Sequence, residues 1–255
     1  MLGKNVAIGD NKFLIIAGPC AVEGEEQLTE IAKFTSKTNN IVLRGGVYKP
    51  RTSPHDFQGM GLEGAKLLSR IGKQYDLPVI TEITDSRQIE FLDQLVDIYQ
   101  IGSRNMYNYD LLKEVGKTDK PVLLKRGMAA TIKEWLLAAS YIELNGNNKI
   151  ILCERGIRTF ETYTRNTLDL SAVVAIKNIS HYPIVVDPSH ATGRKEMIIP
   201  LAKAALIAGA DGVMVEVHND PKQALCDGQQ SLNLDEYGKL VSELEFLTKI
   251  MKDYE

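Results

Sequence analysis

Three cations, Arg44, Lys49 and Arg51, fall close together in the stretch Ile41–Ser53, behind a short apolar run. Gly45 and Gly46 beside them let backbone approach a ligand, and the Thr52 and Ser53 hydroxyls can donate hydrogen bonds. This is the equipment of an anion site. A solvated basic loop is the competing reading, and only context separates the two. Arg104, Lys125 and Arg155 add further cations beside other apolar runs. A second set is Cys20, His190, Glu216 and Asp227: one soft thiolate, one imidazole and two carboxylates. That mixture suits a first-row divalent metal such as manganese, iron, cobalt or zinc better than magnesium or calcium. Taken singly, such a Cys is more often a small buried hydrophobe, such a His a structural residue, and such a carboxylate a solvated charge.

Whether the two sets meet depends on the elements that carry them. Apolar runs at Phe13–Ala17, Ile41–Leu43, Pro78–Ile83, Ile98–Ser103, Pro121–Gly127, Lys149–Gly156, Ile184–His190 and Gly212–Val217 read as strands. Helical patterns alternate with them, near Glu25–Lys37, Gly61–Tyr75, Ser86–Leu95, Asp110–Lys117, Thr131–Leu144, Asp169–Ile179, Glu196–Ala208 and Leu234–Asp253. Eight strand–helix units in 255 residues fit a (β/α)8 barrel, an α/β fold of about 250 residues. An open doubly wound sheet is the alternative, and the lack of a linker between units favours closure. Val6 and Ile8, followed by a turn signal, predict a short N-terminal β-hairpin with Lys12–Leu14, placed over the barrel floor. The expectation is a single (β/α)8 barrel over residues 1–255, without an appended domain.

A barrel gathers its chemistry at the carboxyl ends of its strands. Cys20 follows strand one, Arg44 to Ser53 follow strand two, Glu82 lies in strand three and Arg104 follows strand four. Lys125, Arg155, His190 and Glu216 end strands five to eight, with Asp227 in the last loop. Strands one, seven and eight are neighbours in a closed barrel, so the four potential ligands converge and the metal reading outweighs the four separate ones. The six cations are enough for two phosphorylated substrates, with Arg suited to bidentate contact with phosphate and carboxylate. Period two puts Cys153 inside the barrel if Arg155 reaches the mouth. His218 shares a face with Glu216 and is either a support for the metal site or a structural histidine; His55 and His181 carry no signal.

A formal net charge of -3 gives no general attraction to nucleic acid or anionic membrane. Three scattered cysteines make no disulfide framework, and no signal peptide or membrane-length apolar run is present. A cytoplasmic location is the expectation.

The motifs together resemble the 3-deoxy-D-arabino-heptulosonate 7-phosphate (DAHP) synthase family in its short barrel form, over nearly the whole chain. They are Ala17–Cys20, Lys49–Ser53 with Phe57–Gly59, Gln100–Asn105, Leu124–Gly127, Cys153–Gly156, Asp187–His190, and Glu216–His218 with Asp227. Several are shared with the related 3-deoxy-D-manno-octulosonate 8-phosphate synthases, the runner-up reading. Lys49-Pro50-Arg51-Thr52 discriminates, since the octulosonate enzymes resemble Lys-Ala-Asn-Arg-Ser-Ser there.

The resemblance implies Cys20, His190, Glu216 and Asp227 as ligands of one divalent metal ion that polarises the aldehyde of erythrose 4-phosphate. Arg44, Lys49 and Lys125 would meet the carboxylate of phosphoenolpyruvate, and Arg104, Lys125 and Arg155 its phosphate. Arg51, Thr52 and Ser53 would take erythrose 4-phosphate, with Lys49 the candidate for proton transfer and a metal-bound water or a carboxylate the alternatives. A homotetramer or dimer is implied as well. Two other classes compete: a Schiff-base aldolase using Lys125, and an inactive phosphate-binding barrel.

Overall fold

The computed structural model describes residues 6–9, 12–51 and 53–252. Eight parallel strands form one closed barrel in sequence order: β1 (Leu14–Gly18), β2 (Ile41–Arg44), β3 (Val79–Ile83), β4 (Ile98–Ile101), β5 (Val122–Lys125), β6 (Ile150–Glu154), β7 (Ile184–Val186) and β8 (Gly212–Glu216). β8 pairs with β1 from Leu14 opposite Gly212 to Gly18 opposite Glu216, which closes the sheet. The helices are α1 (Glu25–Thr35), α2 (Gly61–Gln74), α3 (Ile89–Leu92), α4 (Tyr109–Gly116), α5 (Ile132–Glu143), α6 (Leu170–Ile179), α7 (Pro188–Thr192), α8 (Ile198–Ile207) and α9 (Leu234–Lys252).

The alternation of side chains along the strands separates two cores. Leu14, Ile16, Val42, Ile80, Ile98, Leu123, Ile151, Val185 and Met214 fill the barrel together with Cys153. Their neighbours one residue along, among them Ile15, Leu43, Tyr99, Leu124, Leu152 and Val213, pack outward against the helices. The inward-facing placement of Cys153 is the one its spacing from Arg155 predicts. Val6 packs onto the interior cluster with Ile8 against it, and Gly9 bridges Lys12 in antiparallel sense. Among the described residues Gly9 and Lys12 make one isolated bridge rather than paired strands, so of the expected hairpin only the floor placement of Val6 and Ile8 is seen; Asn5, Asp10 and Asn11 fall outside the described residues.

Among the runs that differ from the sequence expectation are the end of the seventh strand and the helix after the third. The strand predicted to reach His190 stops at Val186, because Asp187 accepts a hydrogen bond from the His190 backbone N–H and Pro188 starts a helix. An acidic N-cap followed by Pro at the first helical position is a helix start. The pattern near Ser86–Leu95 divides into a 3-10 turn at Ser86–Gln88, capped by Asp85, and the single turn of α3. α5 begins on a capping box between Thr131 and Glu134, and α6 on the Asp169 cap.

Candidate active site

Following each strand's inward face to its carboxyl end leads from aliphatic residues to polar ones: Val42 to Arg44, Ile80 to Glu82, Ile98 to Gln100, Leu123 to Lys125, Cys153 to Arg155, and Met214 to Glu216. Period two makes each of these the next inward position. Arg44, Lys49, Arg51, Arg104, Lys125 and Arg155, the six cations expected from the sequence, all line one cavity of about 210 Å³. His190 and Asp227 line the same cavity. Ser53 is not on its wall; its Oγ accepts from the His55 backbone N–H at 3.2 Å. Thr52 falls outside the described residues.

Where the inner wall meets the last loop, donor atoms of Cys20, His190, Glu216 and Asp227 lie within 4.8 Å of one another. Cys20 Sγ stands 3.2 Å from Asp227 Oδ2, and His190 Nε2 stands 3.2 Å from Glu216 Oε1. Thiol, imidazole and two carboxylates converging on one point fit a borderline-soft divalent cation, so the donor set passes as a possible metal site. Backbone conformation contributes at both edges. Gly18 has φ 151°, and a Cβ there would lie 2.1 Å from the Arg44 carbonyl oxygen, so glycine lets β1 deliver Cys20 beside β2. Asp227 itself has φ 54°, the left-handed region.

Each donor is held by a second group. Asp187 Oδ2 accepts from His190 Nδ1 at 2.8 Å and from Lys125 Nζ at 2.6 Å, leaving Nε2 to face Glu216. Glu216 Oε1 accepts from Arg44 at 2.9 Å, and its Oε2 accepts from Gln230 at 2.6 Å. Lys49 Nζ donates to the Cys20 carbonyl at 3.0 Å and to Cys20 Sγ at 2.9 Å. Cys226 Sγ lies 3.2 Å from Cys20 Sγ and accepts from Arg51 Nη1 at 2.7 Å.

The charges follow from these contacts. Burial alone would push the Glu216 carboxyl up, yet His190, Arg44 and Lys49 bring it down to about 2. Burial opposes ionisation of Asp187 too, and His190 and Lys125 hold it well below the carboxylate range. Burial lowers His190 in spite of Asp187 and Glu216, which favours the neutral imidazole a metal needs. The hydrogen bond to Cys226, then burial, then Glu216 raise the Cys20 thiol. Burial also lowers Arg155, a cavity-lining residue whose Nη1 is buried without a hydrogen-bond partner.

Residues beyond the sequence reading complete the site. Arg165 lines the cavity, with Nη1 3.8 Å from Asp227 Oδ1 and 3.4 Å from Gln230 Oε1. Asp187 was visible as the first residue of its motif, but its double contact needs the folded geometry. Arg126 and Glu154, inside two of the motifs, pair with each other at 2.9 Å, and Arg126 also meets Asp169 at 2.9 Å. They tie β5, β6 and the start of α6 behind the wall. His218 turns to Gln27 at 3.0 Å and Glu23 at 3.3 Å, on the α1 side, so it is structural rather than a support for the metal donors.

Residues 2–253 match the DAHP synthetase I family. The chain is 53% identical to the phospho-2-dehydro-3-deoxyheptonate aldolase of Thermotoga maritima over 243 residues, 95% of this chain and 72% of that one. It is 31% identical to the 2-dehydro-3-deoxyphosphooctonate aldolase of Syntrophobacter fumaroxidans over 271 residues, covering 99% of this chain and 92% of that one. The crystal structure of the Thermotoga maritima aldolase matches with TM-score 0.94 at 52% identity, over 97% of this chain and 72% of that one. A truncated form of the 3-deoxy-D-arabino-heptulosonate 7-phosphate synthase from the same organism matches with TM-score 0.91 at 48% identity, over 97% and 90% of the two chains.

Proposed function

The chain belongs to the DAHP synthetase I family, and from that premise we propose how its cavity divides the work of joining phosphoenolpyruvate to erythrose 4-phosphate. In this reaction C3 of phosphoenolpyruvate bonds to the aldehyde carbon and water adds to C2. Cleavage of the C–O bond then releases phosphate and leaves DAHP. The observation that carries the reading is the convergence of six cations and a four-donor cluster on one cavity at the carboxyl end of the barrel.

Arg44, Lys49 and Lys125 bind the phosphoenolpyruvate carboxylate, and Arg104, Lys125 and Arg155 bind its phosphate. Burial at 3–5% exposure for Arg44, Lys125 and Arg155 supports this, because charges removed from water act strongly on a bound anion. Arg51, followed in the sequence by Thr52, takes up erythrose 4-phosphate, whereas Ser53 lies off the cavity wall. Cys20, His190, Glu216 and Asp227 would hold one divalent ion of the manganese, iron, cobalt or zinc class, which would supply a Lewis acid for the aldehyde oxygen. Asp187 keeps His190 in the tautomer that presents Nε2. Lys49 places an ammonium group between the two substrates and is the candidate for proton transfer. Holding two mutually repelling anions in attack geometry lowers the barrier by positioning and by stabilising developing charge. Lys125 is committed to an ion pair with Asp187, whereas a Schiff-base lysine needs a free amine.

No described helix is long and apolar enough to cross a membrane. Three free cysteines, two with sulfurs 3.2 Å apart, support a reducing cytoplasm. Exposed Leu137, Tyr141 and Leu144 on and just after α5, beside Tyr109 of α4, support a homo-oligomer.

The test is phosphate release from phosphoenolpyruvate with erythrose 4-phosphate or arabinose 5-phosphate, with and without a chelator. Release with erythrose 4-phosphate that stops on chelation and returns with a divalent metal is expected. A preference for arabinose 5-phosphate would transfer the chain to the octulosonate reaction, and turnover in chelator would remove the metal from the mechanism.

A further inference from the structure

Phosphoenolpyruvate carries a carboxylate and a phosphate, and the inner cations answer both. The aldehyde substrate brings another phosphate dianion, for which the division above leaves one arginine, Arg51. A second cation stands at the right place. Arg51 Nη1 lies 2.7 Å from Cys226 Sγ, and Arg165 Nη1 lies 3.8 Å from Asp227 Oδ1, so two guanidinium groups flank consecutive residues of the last loop. Both line the cavity, with side chains 22% and 44% exposed, nearer the solvent than the inner cations.

The position of Arg165 is built by the backbone. Its N–H donates to the Thr192 carbonyl at 2.9 Å, and the N–H of Asn166 donates to the Ala191 carbonyl at 2.8 Å. These bonds fasten it to α7, the helix that carries His190. Gly193 is left-handed there, and a Cβ on it would come within 3.1 Å of Arg165 Cβ. The guanidinium, in contrast, is weakly committed: its contacts to Asp227 and Gln230 are both long. Nearby Arg194 differs, since its Nε donates to the Tyr163 carbonyl at 2.7 Å and its guanidinium lies 3.9 Å from the Tyr163 ring centroid. A rigidly mounted arginine with an unfilled fork, beside a metal donor and facing a cavity, is suited to a tetrahedral oxyanion.

We infer that Arg165 is a substrate-binding residue that closes on the phosphate of the aldehyde substrate opposite Arg51. It thereby sets the distance between that phosphate and the aldehyde, and with it the length of sugar accepted. This inference rests on the proposed reaction.

The test measures KM for erythrose 4-phosphate, KM for phosphoenolpyruvate and bound metal per chain in Arg165→Ala and Arg165→Lys. A lost charge-assisted contact to phosphate raises KM for erythrose 4-phosphate roughly tenfold to a hundredfold in Arg165→Ala. KM for phosphoenolpyruvate and metal content stay near wild type, and Arg165→Lys recovers part of the loss. Unchanged KM for erythrose 4-phosphate, or equal rises for both substrates, would overturn the inference. So would loss of metal in step with activity, which would make Arg165 a support for Asp227. If circular dichroism shows Arg165→Ala unfolded, the same criteria apply to Arg165→Lys. A wild-type enzyme inactive with erythrose 4-phosphate would instead refute the proposed reaction.

Discussion

The inner wall of the cavity and its rim use the same residue types under opposite conditions. On the wall, Arg44 meets Glu216 at 2.9 Å and Lys125 meets Asp187 at 2.6 Å, with every one of these side chains at most 5% exposed. At the rim, Arg51 meets Asp56 at 3.3 Å and Arg165 meets Asp227 at 3.8 Å, with side-chain exposure of 22–44% for all four. Buried charges are tolerable only when paired, so the wall is organised before a substrate arrives. Rim charges are screened by water and gain their full strength only when a ligand excludes it. The wall therefore suits the smaller, doubly anionic substrate and the metal. The rim suits the longer one, whose phosphate lies far from the reacting carbon.

The largest test of this contrast is Cys20→Ala. Removing a ligand should lower turnover by more than the roughly 10–100-fold typical of losing an outer partner of a metal site. Bound metal, measured by atomic absorption, should fall in parallel while circular dichroism stays native; full turnover with no bound metal would break the distinction between wall and rim. Asp187→Asn comes next. It keeps the shape but removes the charge that orients His190 and faces Lys125, so about a 10–100-fold loss of kcat with weakened metal affinity is expected. A change confined to KM for erythrose 4-phosphate would place Asp187 with the rim instead. The smallest effects are the most selective: Arg155→Ala should raise KM for phosphoenolpyruvate about tenfold or more, and Arg51→Ala should do the same for erythrose 4-phosphate. Steady-state kinetics with each substrate varied in turn decides, and equal effects of both variants on both constants would abolish the division.

Much of this site was legible along the chain. Strand alternation is local, so Val42 and Arg44, or Leu123 and Lys125, declare their shared face without reference to the rest of the fold. His190 was legible as a candidate metal donor but not in its setting, because Asp187-Pro188 begins a helix where the apolar run suggested a continuing strand. For His218 the sequence left two readings open, because period two holds only while the strand lasts and β8 ends at Glu216.

By itself the sequence determined the eightfold alternation, the aliphatic floor beneath a polar mouth, and which cations end the strands. Those depend on hydrophobic periodicity and chain order, which any reader of the chain can count. Only the tertiary structure decided that Asp187 serves Lys125 and His190 together, that Arg126 and Glu154 are spent behind the wall, and that Arg165 enters the cavity while Ser53 does not. The physical reason is reach. Arg165 is placed by its own backbone bond to Thr192 and by that of Asn166 to Ala191, residues more than twenty positions away, and such contacts exist only once β6 and β7 have paired.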